Sequence, residues 1–346
     1  GGRPAAGRRS RVRALVTGGT GFAGSQLALR LLDEGHQVTI LDVVPGLFDE
    51  RIRAKGGDVR YGTVTDGSLL SELVRGQEVV FHLAAAFRKI NLPKSVYREV
   101  NAAATGWLVD AARRAGVRRF VYCSTQGVHG HVDPSPGDET SPIRPEDFYQ
   151  QTKYEGELAA REAAGGMELT IVRPTAIYGP GDPGRFFLLF RQVQKGWFPL
   201  FGAGRVHYHP VYVENLNDAF LLAAERPGAV GEAFVIGDER YVPIEELVRA
   251  VAAALGREVR LLRLPFWPVY GTAAALEVAF KPLPFDPPIF RRRVDWFRQN
   301  RAFDISKARE RLGYRPRVGL AEGLRRTAEW YRAEGMLPAN AGAETS

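Results

Sequence analysis

Short apolar runs and helical stretches alternate along the first half of the chain. Apolar runs occur around residues 12–16, 38–42, 59, 79, 120 and 170, and helical stretches occur around residues 25–34, 69, 100–115 and 152–164. This alternation predicts an α/β protein in which a doubly wound parallel sheet carries helices on both faces.

The pattern becomes irregular beyond residue 174. Pro and Gly cluster at 179–184 and 281–288, and an apolar run at 233–236 predicts a strand that returns to the sheet. We therefore expect a first domain over residues 12–178 and a smaller C-terminal substrate lobe over 179–335, of which 206–240 partly returns to the first domain. A disordered basic arm at 1–11 and a flexible tail at 336–346 are expected to flank them.

Composition agrees with a globular protein, since 346 residues with 45% hydrophobic content are enough to bury a sizeable core. A net charge of +8 is typical of a protein that binds nucleic acid, but much of this charge lies at the start of the chain. Five arginines and no acid lie within the first 13 residues, which leaves a net charge of only +3 on the remainder. We interpret the start of the chain as a disordered arm and expect no nucleic-acid partner and no secretory signal.

Three further features of the sequence concern disulfide bonds, membrane insertion and metal binding. Cys123 is the one cysteine of the chain, so no intramolecular disulfide is possible, and a reducing cytoplasmic location is expected. The most apolar stretch, residues 261–280, contains Arg263, Glu277 and two prolines, which argues against a membrane span. The six histidines do not cluster, and we expect no metal site, including at His207 and His209.

A glycine-rich turn follows the first apolar run and enters the first predicted helix. Gly18 permits a tight turn, Gly21 lets the backbone approach a phosphate group, and Gly24 permits close packing of helix and strand. The next strand ends in Asp42, 24 residues after Gly18, which is near the spacing of a group that binds ribose hydroxyls. The turn predicts a Rossmann dinucleotide site; the alternative is a tight βα turn with a solvent-facing Asp. Backbone groups of Phe22 and Ala23 at the helix start complete this predicted site.

A second group of residues suggests proton transfer. Ser124 and Thr125 end the apolar strand near residue 120, and Tyr149 and Lys153 open a predicted helix. A spacing of four places the last two side chains on one helix face, where the ammonium can lower the pKa of the phenol and reach a cofactor ribose. For both hydroxyls the alternative is capping of the following turn.

Together these motifs resemble the extended short-chain dehydrogenase/reductase superfamily, which includes nucleotide-sugar epimerases and dehydratases and hydroxysteroid or sterol dehydrogenases. The resemblance runs from about Arg13 to about Tyr331. Its residues are Thr17 to Gly24, His82 to Ala85, Asn101 with Thr105, Phe120 to Thr125 with Val128 and Gly130, Tyr149 with Lys153, Arg173–Pro174 with Tyr178 to Asp182, Val213 to Asn215, Phe303 to Ala308 and Leu312 to Tyr314.

The resemblance implies a role for most of these positions. Tyr149 would be the general acid/base, Lys153 would tune it and bind the nicotinamide ribose, and Thr125 would hold the substrate oxygen, with Ser124 shaping the nicotinamide pocket. NAD is the implied cofactor, and a homodimer formed by the helices near residues 100 and 152 is implied by resemblance alone. Further residues implied beside the cofactor are Leu83, Ala84, Ala85, Asn101, Pro174 and Ile177. For Asn101, a buried amide that ties helix to strand is equally compatible.

The sequence departs from the pattern of its relatives in two respects, which concern adenine recognition and the substrate. Gly62 is followed by Thr63 where relatives often have Asp, so adenine recognition is expected to use backbone groups near Val64, with Asp66 as a substitute. Nucleotide-sugar enzymes commonly carry an Asn and a phosphate-binding Arg at the positions held here by Ala176 and Tyr208.

The second departure favours an NAD-dependent oxidoreductase that interconverts a secondary alcohol and a ketone on a ring-containing, hydroxysteroid-like substrate. The alternative is a nucleotide-sugar 4-epimerase or decarboxylase, and a third class is a non-catalytic NAD-sensing protein, which has no need of a proton-transfer set. For the alternative, Arg185, Lys195 and Arg291 are the expected phosphate ligands. The aromatic residues Phe266, Trp267, Phe280, Phe285 and Phe290 are expected in an apolar cleft, a surface patch or the core of the lobe. Candidate substrate contacts are Phe87, Gln126, His129, Ala176, Arg185, Tyr208 and Arg291.

Overall fold

A seven-stranded sheet organises the first part of the chain in the computed structural model, which describes residues 11–87, 92–202, 204, 206–280, 289 and 291–339. Its strand order is β3-β2-β1-β4-β5-β6-β11, and each pairing from β3 to β6 is parallel. The predicted fold class is confirmed. The strands are β1 (Arg13–Thr17), β2 (Gln37–Asp42), β3 (Asp58–Tyr61), β4 (Val79–His82), β5 (Arg119–Cys123), β6 (Glu168–Pro174), β7 (Ala176–Tyr178), β8 (Trp197–Phe201), β9 (His207–Tyr208), β10 (Pro210–Tyr212), β11 (Ala233–Ile236), β12 (Val242–Pro243) and β13 (Arg260–Leu264).

Helices alternate with these strands as the sequence pattern predicts. A π-helical turn, Glu99–Ala103, lies between α4 and α5, and a 3₁₀ turn, Gln126–His129, follows β5. The α-helices within the described residues are α1 (Phe22–Asp33), α2 (Asp49–Ala54), α3 (Gly67–Leu73), α4 (Lys94–Arg98), α5 (Ala104–Arg114), α6 (Phe148–Ala164), α7 (Arg185–Val193), α8 (Val213–Glu225), α9 (Ile244–Ala254), α10 (Phe266–Phe280), α11 (Arg291–Asp295), α12 (Ser306–Leu312) and α13 (Leu320–Ala333).

The chain divides into two compact units, each with its own apolar core. The first unit contains Gly1–Ser124, Gln151–Val172 and Phe220–Ala233, and the second contains Thr125–Gln150, Arg173–Ala219 and Phe234–Ser346. Residues 125–150 and 173–178, expected in the first domain, thus belong to the second unit, and the part of 206–240 that belongs to the first unit is 220–233. The core of the first unit includes Leu15, Val80, Leu108, Phe120 and Ile171, and that of the second includes Phe190, Leu200, Leu247, Val251 and Leu324.

The two ends of the chain are only partly described. Arg11, expected in the disordered arm, donates from Nε to the Gly35 carbonyl at 2.7 Å, while the arm before it lies outside the described residues. At the other end Leu337 is 5% exposed and its N–H donates to the Tyr331 carbonyl. Leu337 therefore does not belong to the flexible tail expected from residue 336, because burial and a backbone hydrogen bond hold this residue.

The strand order reverses at β1, which lies between β2 and β4. Thr17 and His82, the last residues of β1 and β4, are register partners. Because the strands are parallel, the segments that follow them leave the sheet at the same edge. That edge, at the point where the strand order reverses, is where α/β sheets of this type bind nucleotides.

Two further results concern the residues that the structure describes. None of their helices combines the length and the hydropathy needed to cross a membrane. Nor do three or more His, Cys, Asp or Glu side chains in these ranges come together as a set of metal ligands.

Candidate active site

The glycine turn after β1 is packed too closely for larger residues. Gly18 has a φ of 70°, and a Cβ there would lie 2.6 Å from the Ala84 backbone nitrogen. A Cβ at Gly24 would lie 2.1 Å from the Gly18 carbonyl oxygen. Both positions therefore require glycine, because the atoms that would collide belong to the backbone.

The side of this turn that leads into α1 is open. A Cβ at Gly21 would meet only the Gly18 carbonyl oxygen, at 3.3 Å, and Gly21 itself is exposed. Gly21 is the N-cap of α1, so Phe22 and Ala23 belong to the first turn, whose N–H groups point out of the helix start. An open backbone concavity at a helix N-terminus is suited to an anionic phosphate.

Asp42 lies beside this concavity at the end of β2. Its carboxylate accepts hydrogen bonds from the Thr20 N–H at 3.1 Å and the Val43 N–H at 2.7 Å. These two bonds orient the carboxylate toward the glycine turn. The position fits the predicted contact with a ribose of the cofactor, and it differs from a solvent-facing Asp on an unconnected loop.

A buried histidine joins β1 to β4 and α5. Nδ1 of His82 lies 2.6 Å from the Thr17 hydroxyl, and Nε2 lies 3.0 Å from the Thr105 hydroxyl. Burial lowers the pKa of His82 to about 3, with the Lys153 charge adding to the shift, so the ring is neutral at physiological pH. His82 thus holds together the elements that carry Leu83, Ala84 and Ala85.

Asn101 holds the loop that follows these residues. Its side-chain oxygen accepts from the Ala86 N–H at 2.7 Å, and its amide donates to the Ala86 carbonyl and the Thr152 hydroxyl. Asn101 is fully buried within the π-helical turn, a feature that often marks functional sites. These contacts match the second of the two roles expected for Asn101, that of a buried amide connecting helix and strand. Direct contact of Asn101 with the cofactor stays a prediction.

Lys153 is buried and has an unsatisfied ammonium group. The residue is 1% exposed, and its Nζ has no hydrogen-bond partner in the described structure. The ammonium lies 4.3 Å from the centre of the Tyr122 ring. Burial lowers the pKa of Lys153 to about 8, while the charges of Cys123 and Glu157 oppose this shift. An unpaired buried ammonium is costly, and ribose hydroxyls would satisfy its donors.

Glu157 is a site residue that the sequence motifs do not identify. It lies one helical turn beyond Lys153, is 1% exposed, and accepts from the Ser124 hydroxyl at 2.5 Å. Ser124 therefore connects the end of β5 to α6. The spacing of four after Lys153 was a signal in the sequence, but a glutamate at that spacing is usually a solvated helix residue, and only the fold shows its burial.

The remaining catalytic candidates belong to the second unit. The Thr125 hydroxyl accepts from the Gly127 N–H at 3.1 Å and so caps the 3₁₀ turn. That capping role uses an acceptor site and leaves the hydroxyl proton for donation. Tyr149 is half-buried in the first turn of α6, four residues before Lys153 on the same helix, as predicted.

Other residues near this strand end have structural contacts. Nδ1 of His129 lies 2.9 Å from the Ser141 carbonyl oxygen, and its Nε2 lies 3.0 Å from Nη1 of Arg173. His129 is 1% exposed, so its contacts match an ordinary structural histidine better than a substrate ligand. Gln126 is half-buried, and its side-chain oxygen has no partner in the described structure. Its substrate contact stays a prediction.

The positions that differ from nucleotide-sugar enzymes are part of the second unit's fold. Tyr208 is 4% exposed and packs edge-to-face against Trp296 at 5.2 Å. Ala176 begins β7 and pairs with Pro210 of β10, and its N–H donates to the His209 carbonyl. Ile177 is half-buried in the same strand, and Pro174 is buried. Tyr208 thus fills a core position with an aromatic ring where the relatives are expected to present a phosphate-binding arginine.

Of the residues expected at the adenine end, Thr63 and Asp66 have local hydrogen bonds and Val64 is buried. Thr63 bonds to the Thr65 hydroxyl at 2.9 Å, and Val64 is buried. The Asp66 carboxylate caps α3 by accepting from the Ser68 and Leu69 N–H groups, and the hydrogen bond from the Ser68 hydroxyl, together with these two, lowers its pKa. Asp66 is therefore a helix cap, and its use as an adenine ligand would compete with that role. Phe87, a candidate substrate contact, is 57% exposed, and its contact with substrate stays a prediction.

The candidate anion ligands of the second unit are exposed or already paired. Arg291 forms an ion pair with Glu277 at 2.7 Å, and Lys195 is exposed. The side chain of Arg185 lies outside the described part of the chain. Of the aromatic series, Phe266 packs against the second core, whereas Trp267 is 70% exposed. Core packing is therefore the wrong interpretation for Trp267, and Phe285 and Phe290 lie outside the described residues.

Comparison with known proteins agrees with this geometry. The chain belongs to the NAD dependent epimerase/dehydratase family, whose sequence model matches residues 14–237. The open glycine turn, Asp42 and the unpartnered ammonium of Lys153 all fit the NAD that this family uses. The protein is thus an NAD-dependent enzyme of the dehydrogenase and epimerase type.

Individual relatives fall into two groups. The chain is 32% identical to the 3-beta-hydroxysteroid dehydrogenase of Mycolicibacterium neoaurum, covering 96% of this chain and 97% of that protein. Among solved structures it resembles the UDP-glucose 4-epimerase of Thermotoga maritima, at 26% identity and a TM-score of 0.74, covering 93% and 99% of the two chains. It also resembles the dTDP-glucose 4,6-dehydratase DesIV of Streptomyces venezuelae with NAD and TYD bound, at 28% identity and a TM-score of 0.75, covering 94% and 99%.

Proposed function

We propose that this enzyme oxidises a secondary alcohol, or reduces the matching ketone, on an apolar ring substrate of the hydroxysteroid type. The observation that carries the proposal is the burial of Tyr208 in the aromatic core of the second unit. A ring in that place offers no charged grip for a diphosphate. The 32% identity to a 3-beta-hydroxysteroid dehydrogenase, over 96% of this chain, supports the same substrate class.

Each step of the proposed reaction uses a residue of this chain. NAD, when bound, supplies the acceptor for the hydride that leaves the substrate carbon. Tyr149 takes the hydroxyl proton, Thr125 donates a hydrogen bond to the substrate oxygen, and Lys153 holds a positive charge one helical turn from the phenol. Burial lowers the pKa of Lys153 to about 8, and the Glu157 carboxylate opposes this shift and so helps to keep the amine charged.

A substrate comparison tests the proposal. We expect a panel of 3β-hydroxysteroids with NAD to accumulate NADH, measured by absorbance, together with the ketone, identified by mass spectrometry. UDP-hexoses and UDP-hexuronates should bind weakly and produce no NADH. Tight UDP binding with sugar interconversion and without NADH accumulation would reverse the assignment.

That reverse outcome defines the second candidate, a nucleotide-sugar epimerase or decarboxylase in which oxidation is transient. It is favoured by the likeness to the UDP-glucose 4-epimerase of Thermotoga maritima, 99% of whose chain is covered. Its phosphate ligands would be Arg185, Lys195 and Arg291, and Arg291 would first have to leave Glu277.

Cofactor choice gives a separate prediction. Asp42 is fixed beside the glycine turn, where its carboxylate would repel a 2′-phosphate, and Val43, Val44 and Pro45 follow it without a basic residue. We expect NAD to bind at least ~10-fold more tightly than NADP, a difference of about 1.4 kcal/mol. Titration of both cofactors measures this ratio. Equal affinities would show that Asp42 does not contact the ribose.

We also propose that the protein is a cytoplasmic homodimer that associates through α5 and α6. These helices pack closely, since a Cβ at Gly106 would lie 3.4 Å from the Ala159 Cβ, and beside this contact Trp107 and Leu158 are 48% and 49% exposed. Light scattering should give the mass of a dimer for the native chain and of a monomer for Trp107→Glu/Leu158→Glu. A native monomer at high protein concentration would refute the proposal.

A further inference from the structure

The helix α10 is unusual because it is apolar yet lies at the surface. In its fifteen residues Glu277 is the one charged residue, and Ala273 is the one residue that is fully buried. Trp267 and Val278 are 70% and 72% exposed. A helix that is apolar on all sides is normally enclosed in a protein core or in lipid. We therefore expect the exposed part of α10 to bind another apolar surface.

One face of α10 already has its contacts. Phe266, Val269 and Tyr270 pack against the core of the second unit beside the buried Ala273. Glu277 is neutralised by Arg291, whose Nε lies 2.7 Å from its carboxylate and whose backbone N–H also donates to it. The charge of the helix is thus paired with the neighbouring helix α11.

The opposite face carries no charge. We call Trp267, Gly271, Ala275 and Val278 the outer face of α10; they follow one another at helical spacings of four, four and three and are all exposed. A soluble surface helix usually presents charged or polar side chains on this side. Here a tryptophan lies near one end and a valine near the other.

Positive charge surrounds this helix in the sequence. Residues 260–298 contain six arginines and one lysine against Glu277, Asp286 and Asp295, a net charge of +4. Without these residues and the basic arm of residues 1–13, the rest of the chain has a net charge of −1. This local net charge of +4 is complementary to an anionic surface.

We propose that the outer face of α10 docks the protein on an anionic lipid surface, with Trp267 and Val278 entering the boundary between headgroups and acyl chains. Tryptophan flanked by basic residues is the composition of segments that lie in such an interface. A second copy of the chain is disfavoured, because it would bring the same net charge of +4 against the first. If the proposed function holds, docking also places the enzyme where apolar ring substrates partition, but lipid binding does not depend on that function.

Vesicle sedimentation with the full chain tests the proposal. We expect the protein to sediment with vesicles that mix phosphatidylcholine and phosphatidylglycerol, to bind phosphatidylcholine alone more weakly, and to lose binding as salt is raised. Val278→Ser should weaken binding about tenfold, and Trp267→Ser/Val278→Ser by more, since each removes apolar surface from the lipid. Val230→Ser, at a valine that is 40% exposed elsewhere, is the matched control and should bind as the native chain does.

Folding of the variants is checked by thermal unfolding and by NADH formation with a soluble substrate, both of which should match the native protein. Absence of sedimentation with the mixed vesicles at low salt would overturn the proposal, as would unchanged binding of the double variant. If vesicles are not bound and the double variant lowers the molecular mass in light scattering, a second copy occupies this face. NADH formation without lipid binding would reject this inference and leave the proposed function intact.

Discussion

Replacing Tyr149 by Phe should lower turnover by about 10²-fold or more while NAD binding persists. The substitution removes one oxygen and keeps the ring, so the half-buried first turn of α6 stays packed. Loss of a positioned acid/base typically has an effect of this size. Steady-state rates and an NAD titration measure the two properties separately.

Tyr154→Phe is the matched control, because Tyr154 is also a half-buried tyrosine of α6 and lies just beyond Lys153. It should retain nearly native turnover. Lys153→Ala should differ from both, since it removes the buried ammonium and so weakens NAD binding as well as turnover. Most of the native activity remaining in Tyr149→Phe would mean that the proton takes another route.

The second large effect is expected at Gly24, where alanine should weaken NAD binding by at least ~10-fold and destabilise the fold by about 1–3 kcal/mol. The added Cβ would lie 2.1 Å from the Gly18 carbonyl oxygen, so the phosphate-facing turn would have to move. Calorimetric titration with NAD and denaturant unfolding measure the two effects.

Gly67→Ala provides the control for this substitution. Gly67 begins α3, and a Cβ there would meet no atom within 4 Å. We expect native NAD affinity and unchanged or slightly higher stability, because alanine favours helix. If Gly24→Ala bound NAD as tightly as Gly67→Ala, the turn would be more adaptable than its packing indicates.

The sequence predicts those parts of the site that depend on neighbours along the chain. The glycine turn, Asp42 at the end of β2, and the pair Tyr149 and Lys153 are set by strand ends and helical spacing, and the structure has them on the predicted elements. Such features follow from local periodicity, which one chain carries by itself.

What the sequence does not predict depends on burial and on contacts between distant segments. The bond between Glu157 and Ser124 joins residues 33 positions apart, and nothing local distinguishes this glutamate from a solvated one. The opposite error concerns Trp267, since an aromatic residue in an apolar run is usually buried, and only the packing of α10 shows its exposure. The structural role of Tyr208 likewise could not be predicted from the sequence. Its packing against Trp296 is what distinguishes a core residue from a substrate ligand.

Isotope transfer tests the proposed dehydrogenase reaction most directly. A 3β-hydroxysteroid that carries deuterium on carbon 3 is incubated with the enzyme and NAD, and the cofactor is analysed by mass spectrometry. We expect one deuterium in the NADH for each ketone molecule formed. With Tyr149→Phe, deuterium transfer should be as slow as the residual turnover of that variant. Absence of labelled NADH with every steroid, together with UDP-hexose interconversion that retains a deuterium placed on carbon 4 of the sugar, would contradict the proposed reaction.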